Sequence, residues 1–333
     1  MKNRRDFLKT AATGAALLGA QSKLGLAAAL DQIAESGKSK VVVARDPALH
    51  GSGGSPQLDE KRVQALLDRA IATYTGRDKP IEAWKRIVPV GKVIGIKVNG
   101  LGGKGISTHA ALVMAICERL QQAGVKPGEI IVWDRAARDL EDCGFTINTD
   151  PSRIRVFGSD VSGFEDQQES WGVARIRLSK ILTRECAMVL NVPILKDHHR
   201  CGVTFSMKNM YGVVDQPMTL HDGGCNPGAA DLNCIPAIRE KVRFTIGDAL
   251  TSMYDNGPVF HPETLWYSNA LIVGEDRVAV DHVAWQMLER KRAEEGLPTF
   301  EAAGYPARYL ATAADAAHKL GANDPHRIHL MEV

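Results

Sequence analysis

A chain of 333 residues, 24% of them charged and with a formal net charge of +2, is long enough for one large domain or two smaller ones with sizeable cores. Lys2, Arg4, Arg5, Lys9 and Lys23 face only Asp6 before residue 30, so the rest of the chain is near neutral or slightly acidic. That leaves no basic stripe to follow a phosphate backbone, and nucleic acid is excluded as a partner.

In chain order the first element is an address. Asn3, Arg4, Arg5, Asp6, Phe7, Leu8 and Lys9 precede a weakly apolar stretch over 11–30, the layout of a twin-arginine signal over residues 1–29. The stretch is interrupted by Gln21 and Lys23 and is too poor in strongly apolar residues for a stable membrane span. The expectation is export through the twin-arginine translocon to the periplasm or beyond, with cleavage near Ala27, Ala28 or Ala29. A soluble amphipathic helix is the alternative reading.

From residue 38 to 333 one α/β domain is expected. Short apolar runs at 41–44, 93–98, 130–133, 154–157, 187–192, 244–246 and 270–273 read as buried strands. Helical periodicity occupies about 60–74, 108–123, 278–291 and 309–320. The alternation predicts a mostly parallel sheet with helices on both faces. Ser107 or Thr108 is placed to cap the helix bearing Leu112, Val113, Ile116 and Leu120, and Gly124 to stop it. Residues 135–186, with Pro151, Gly158, Gly163 and Gly172 among many acids, read as an insertion or small subdomain.

The residues able to do chemistry concentrate after the strand that ends near Val192. Ligands in open α/β sheets bind beyond the carboxyl ends of strands, and here Lys196, His198, His199, Arg200 and Lys208 form a cationic, titratable wall. Lys196, His198, His199 and, opposite them, His109 are the candidate catalytic residues, by acid–base chemistry or, for the lysine, as a covalent anchor. Lys97, Asn99, Lys208, Asn209 and Asp248 are the candidates for holding an anion or cofactor. His198, His199 and His221 are the candidate metal ligands. A solvated loop is the competing reading for all of these.

Two weaker groups flank this one. Gly102, Gly103 and Gly105 before Ser107, Thr108 and His109 suggest an anion-holding loop at a helix start, although the glycine spacing matches neither the P-loop nor the dinucleotide fingerprint. His221, Cys225, Asp231 and Cys234 fit no standard zinc pattern, so a Cys225–Cys234 disulfide is the preferred reading there. The six cysteines contain no Cys-x-x-Cys pair, which removes ferredoxin-type iron-sulfur motifs, and Cys117 reads as a small buried hydrophobe. Asp248, expected just past the strand over 244–247, orients a histidine, ligates a cation or caps the next segment. Asp281 and His282 read as structural.

Taken together these segments resemble the DUF362 family of bacterial and archaeal proteins. The likeness rests on Lys97, Val98 and Asn99 with Thr108 and His109; on the run from Asn191 through Pro193, Lys196 and Asp197 to His198; and on Gly202, Val203 and Thr204 leading to Lys208, Asn209, Met210, Tyr211 and Gly212. Phe244 to Asp248, the Asn256, Gly257 and Pro258 turn, and Asp276 to Asp281 extend it. Some members carry an iron-sulfur insert whose cysteine clusters this sequence lacks. More distantly, the order of elements is similar to the N-terminal domain of nickel-pincer lactate racemases, which implies a lysine and histidines around a metal-bearing cofactor. Two functions follow as expectations: an exported enzyme acting on a small anionic compound or carrying a metal-bearing cofactor, or a non-catalytic accessory protein that delivers a metal, cluster or ligand to an exported redox partner.

Overall fold

Period-two alternation organises the sheet. In β1 (Ser39–Arg45) Val41 and Val43 join one apolar core while Val42 and Ala44 join another on the opposite face. The computed structural model describes residues 37–50 and 57–333, and Ser39–Val333 form the unit that carries the fold. The segment read as an export signal lies outside the described residues.

The later strands are β2 (Ile94–Lys97), β3 (Ile130–Asp134), β4 (Arg155–Gly158), β5 (Glu169–Trp171), β6 (Ala174–Ile176), β7 (Met188–Asn191), β8 (Ile194–His198), β9 (Gly202–Thr204), β10 (Val242–Met253), β11 (Leu265–Trp266), β12 (Ala270–Gly274) and β13 (Ile328–Glu332). All but β5 and β6 belong to one eleven-stranded sheet, in the order β13-β1-β12-β10-β7-β2-β3-β4, with β8 and β11 added to β10 and β9 to β8. The run β10-β7-β2-β3-β4 is parallel. β12 lies antiparallel between β1 and β10, and β13 parallel to β1.

Helices cover both faces, as the alternation requires. On one side α1 (Glu60–Thr75), α2 (Pro80–Ile87) and α3 (Ala110–Gln122) bury Leu66, Leu67, Trp84, Leu112 and Ile116 against Ile94, Ile96 and Leu190. After α4 (Ala137–Asp142) and α5 (Ser159–Ser162), the other side is covered by α6 (Gly228–Cys234), α7 (Pro236–Lys241), α8 (Arg277–Glu294) and α9 (Tyr309–Ala313), whose Leu232, Ile238, Val280, Met287 and Tyr309 meet Val41, Ile131 and Val189. Asp59 caps α1 by accepting from Lys61 N and Arg62 N, and Gly76, at φ 65°, ends it. Asp276 caps α8 through Val278 N and Ala279 N.

Several expectations are corrected by tertiary contacts. Neither Ser107 nor Thr108 caps α3: the Thr108 hydroxyl donates to Val192 O (2.7 Å), and Asp248, from another strand, accepts from His109 N (2.8 Å) at the helix start. Asp248 does not follow its strand but sits inside it, because β10 runs on to Met253 by pairing with β8 and β11. The segment 194–198, placed by the sequence beyond the end of a strand with a solvated loop as the competing reading, is itself the buried strand β8, held between β10 and β9. The helix expected over 309–320 stops at Ala313. Residues 135–186 supply the sheet's edge strand β4 as well as the separate β5–β6 ribbon.

The cysteines are all free. Cys225 and Cys234 lie on opposite sides of α6, whose seven residues rise about 10 Å, too far for a disulfide. Cys234 faces His318 O, whereas Cys225 faces Lys208. Asp281 is structural, accepting from Ser206 N (2.6 Å) and Met207 N (3.0 Å) and so anchoring the chain just after β9.

Candidate functional site

Three neighbouring parallel strands end in polar residues: Lys97 closes β2, Asp134 closes β3 and Asn191 closes β7. In the interior of a sheet those side chains would be stranded, but at the carboxyl ends a following segment can satisfy them. Here the 3-10 turn Lys208–Val213 lies across the strand ends and supplies Asn209. Its side-chain amide donates to Lys97 O (3.1 Å) and Asn191 Oδ1 (2.7 Å), and its oxygen accepts from Lys97 Nζ (3.4 Å) and Asn99 Nδ2 (3.4 Å). One asparagine thereby ties two strands and the loop after β2 together. Gly212, three residues on, has room for nothing larger, since a Cβ there would lie 2.6 Å from both Asp134 Oδ1 and Lys97 Nζ.

Above this floor is a cavity of about 650 Å³. Lys97, Asn99, Lys196, His198, His199, Lys208, Asn209 and His221, eight of the residues singled out in the sequence, all line it. His109 and Asp248 are not among its lining residues; they pair with each other at the start of α3, His109 Nδ1 lying 2.9 Å from Asp248 Oδ2. Asp134, Arg135, Asp139 and Asp215, which sequence reasoning missed, also line the cavity, as do Thr204 and Tyr211, which it named only as carriers of the family resemblance. Asp134 was within reach of it, because it closes a recognisable strand just as Lys97 does. Thr204 follows no strand-end rule of that kind, yet its buried hydroxyl has no hydrogen-bond partner, and neither has the Asn99 side-chain oxygen. Both are polar atoms that a ligand would satisfy.

The three lysines differ in their partners. Lys97, 1% exposed, pairs with Asp134 at 2.5 Å and donates to Val98 O; burial lowers its pKa while Asp134 opposes the drop. Lys208 donates to Cys225 Sγ (3.1 Å) and lies over the Tyr211 ring at 4.5 Å. Lys196 is fully buried and donates only to Ile106 O (3.3 Å), with no ion pair to a carboxylate among the described residues. Burial therefore pushes it down to about 8, with Asp134 the largest opposing influence. Asp197, next along β8, is turned away to accept from Gly257 N (2.8 Å); burial raises its carboxyl to about 7.

Five cationic side chains line the cavity, Lys97, Arg135, Lys196, Arg200 and Lys208, against Asp134, Asp139 and Asp215. Two of the acids are already engaged, Asp134 by Lys97 and Asp215 by Arg177. Cationic side chains thus outnumber acidic ones among the lining residues.

The histidines form a stack. His198 lies 5.2 Å from His199 and 5.6 Å from His221, centroid to centroid, at interplanar angles of 22° and 28°. Burial, then Lys208 and the two other imidazoles, push His198 down to about 2, so it is neutral. Its Nδ1 accepts from Arg200 N (3.2 Å), while the Nδ1 atoms of His199 and His221 meet Gly257 O (2.7 Å) and Pro217 O (3.1 Å). Stacked rings direct their in-plane lone pairs side by side instead of toward one point. Accordingly, no group of three His, Cys, Asp or Glu among the described residues is arranged to hold a metal ion. His198, His199 and His221, the expected metal ligands, line the cavity as a stack whose ring nitrogens do not converge on one point.

This arrangement, a polar floor on strand ends beneath the β8–β9 segment and the Lys208 turn, falls inside a stretch with a known pattern. Residues 94–286 match the family described as a domain of unknown function, DUF362. The chain belongs to the DUF362 family. The match takes in every site residue from Lys97 to Asp248, whereas β1, α1 and β13 lie outside it. A crystal structure of a Thermotoga maritima protein is similar at 13% identity and a TM-score of 0.43, over 70% of this chain. The chain spans 59% of that protein's length. No curated protein matches the chain.

Proposed function

We propose that this DUF362 protein binds an organic anion in the cavity and exchanges a proton with it through Lys196. The observation that carries the reading is the buried ammonium of Lys196, which faces the cavity without a carboxylate partner. An ammonium in that position lacks a counter-charge that an anionic ligand supplies. With its pKa at about 8 it both gives and takes a proton near neutral pH. Neutral His198 beside it, with Nδ1 already accepting from Arg200 N, adds an Nε2–H able to donate to the anion.

Export belongs to the same proposal. Arg4 and Arg5 before Phe7 and Leu8 support a twin-arginine route to the periplasm or outside. No helix among the described residues is long and apolar enough to cross a membrane. The accessory reading, delivery of a metal or ligand to a redox partner, would use the same residues for affinity alone; a redox subunit that co-purifies with the chain would favour it.

The test is calorimetric titration of the purified chain with inorganic phosphate, 2-hydroxy acids and 2-oxo acids, alongside Lys196→Met. Binding by the wild type that is lost in the variant is the expected result. Equal binding by both removes Lys196 from the site.

A further inference from the structure

Lys208 has a partner that the proposed function does not use. Its ammonium lies 3.1 Å from Cys225 Sγ and 3.5 Å from His221 Nε2, and no carboxylate pairs with it among the described residues. Cys225 and Cys201 are both fully buried, and each thiol shifts the other's titration, Cys225 downward and Cys201 upward. The backbone brings them together. A Cβ on Gly224 would lie 2.8 Å from Arg200 O, so the residues immediately before Cys225 and Cys201 are in contact. Cys225 itself holds φ at 61°, a region costly for any residue with a Cβ. The Cys201 thiol, then Lys208, holds the Cys225 thiol well below the ordinary range, while burial pushes Cys201 up. A thiol held low beside a lysine and a second thiol held high are the two halves that disulfide formation needs.

We propose that Cys201 and Cys225 are a redox-active thiol pair, oxidised by a hydroperoxide, and that closing their disulfide frees the Lys208 ammonium to serve the cavity. The Cys225 thiolate attacks one oxygen of the hydroperoxide; the O–O bond breaks, an S–OH forms, and the departing hydroxide or alkoxide takes up a proton. The Cys201 sulfur then attacks the Cys225 sulfur, the S–O bond breaks, and the hydroxide leaves with the Cys201 proton as water. Two thiols lose two electrons, and one hydroperoxide is reduced. Hydrogen peroxide, little larger than water, suits so buried a pair. The disulfide carries no charge, so Lys208 loses its anionic partner and its ammonium becomes available to a ligand. This second step rests on the anion-binding reading above; the disulfide does not.

The experiment treats the purified full chain with hydrogen peroxide, maps disulfides by peptide mass spectrometry, and titrates reduced and oxidised protein with inorganic phosphate. A Cys201–Cys225 bridge is expected, absent in Cys225→Ser and intact in Cys234→Ser. Phosphate affinity should rise on the order of tenfold in the oxidised form, inside the range of ordinary site-to-site coupling. Cys201→Ala, which cannot close the bridge, should show no rise, and circular dichroism of each variant checks its fold. Oxidation that leaves Cys201 and Cys225 unlinked, or links either to another cysteine, overturns the proposal. A bridge with measurable but unchanged phosphate affinity overturns its link to Lys208. A bridge with no phosphate binding in either state upholds the thiol pair and counts instead against the anion-binding reading.

Discussion

Replacing Lys196 with methionine should make the protein more stable while it abolishes anion binding. The lysine is fully buried, and burial lowers it from 10.5 to about 8; at about 1.4 kcal/mol per pH unit, the charged form costs the fold about 3 kcal/mol. Methionine fills a similar volume without the charge. The hydrogen bond to Ile106 O, already long at 3.3 Å, takes back at most about 1 kcal/mol when it is lost, leaving a net gain of about 2–3 kcal/mol. The sign follows from proton counting. Between pH 8 and 10.5 the unfolded chain holds a proton that the folded one has released, so wild-type stability rises with pH across that window. The advantage of Lys196→Met is therefore full below pH 8 and fades as pH approaches 10.5. For the unit Ser39–Val333 the unfolding entropy is about 0.6 kcal/mol/K, which turns the gain into about 3–5 °C. Urea unfolding at pH 7 and again near pH 10 reads both the size and the fading. A variant less stable than wild type at pH 7, or one whose advantage is the same at both pH values, would mean that the ammonium is not stranded.

Three further outcomes follow from the geometry. Asp134→Asn leaves the Lys97 ammonium buried without its partner and should cost about 3–5 kcal/mol in denaturant unfolding, whereas the double replacement Lys97→Met with Asp134→Leu should recover most of that loss; equal losses in single and double variants would refute the pairing argument. Gly212→Ala forces a methyl against the same ion pair and should destabilise by about 1–3 kcal/mol, measured the same way. His198, held at about 2 when folded and near 6.5 when unfolded, makes wild-type stability fall as pH drops below 6.5, because only the unfolded chain takes up the proton. Buried Asp197 and Asp281, both raised to about 7, act in the opposite direction over the same range. The clean measurement is thus the difference between wild type and His198→Asn, which should shift by about 2 kcal/mol between pH 7 and pH 5 in favour of the variant.

How far the site was legible depended on which side chains report on their own surroundings. Lys97, Asn99, Lys196, His198, Lys208 and Asn209 are titratable or amide residues beside recognisable strand ends, and they converge on one cavity. His109 and Asp248 look the same in one dimension but meet each other at the start of α3. The difference arises because β10 continues past Asp248, which puts that carboxylate in mid-strand, level with the first turn of a helix packed on the sheet. A strand's length is set by its neighbours, here β8 and β11, and not by its own apolar run. The cysteines make the same point. Spacing favoured Cys225 with Cys234, but a helix between them intervenes, and the contact at Gly224 brings Cys201 alongside instead.

By itself the sequence determined the α/β class, the strands from β1 to β4, the limits of α1 and α3 to within a few residues, and the stretch in which chemistry-bearing side chains concentrate. These follow from local rules: alternation, helical periodicity, caps, and polar residues where strands stop. The tertiary structure alone decided that charged β8 is a buried strand, that Asn209 joins two strand ends, that Lys97 has a carboxylate partner and Lys196 has none, and that three imidazoles stack. Each of these depends on distances between residues far apart in the chain, and the energy of a buried charge is set by what lies within a few ångströms of it. No reading along one dimension contains that information.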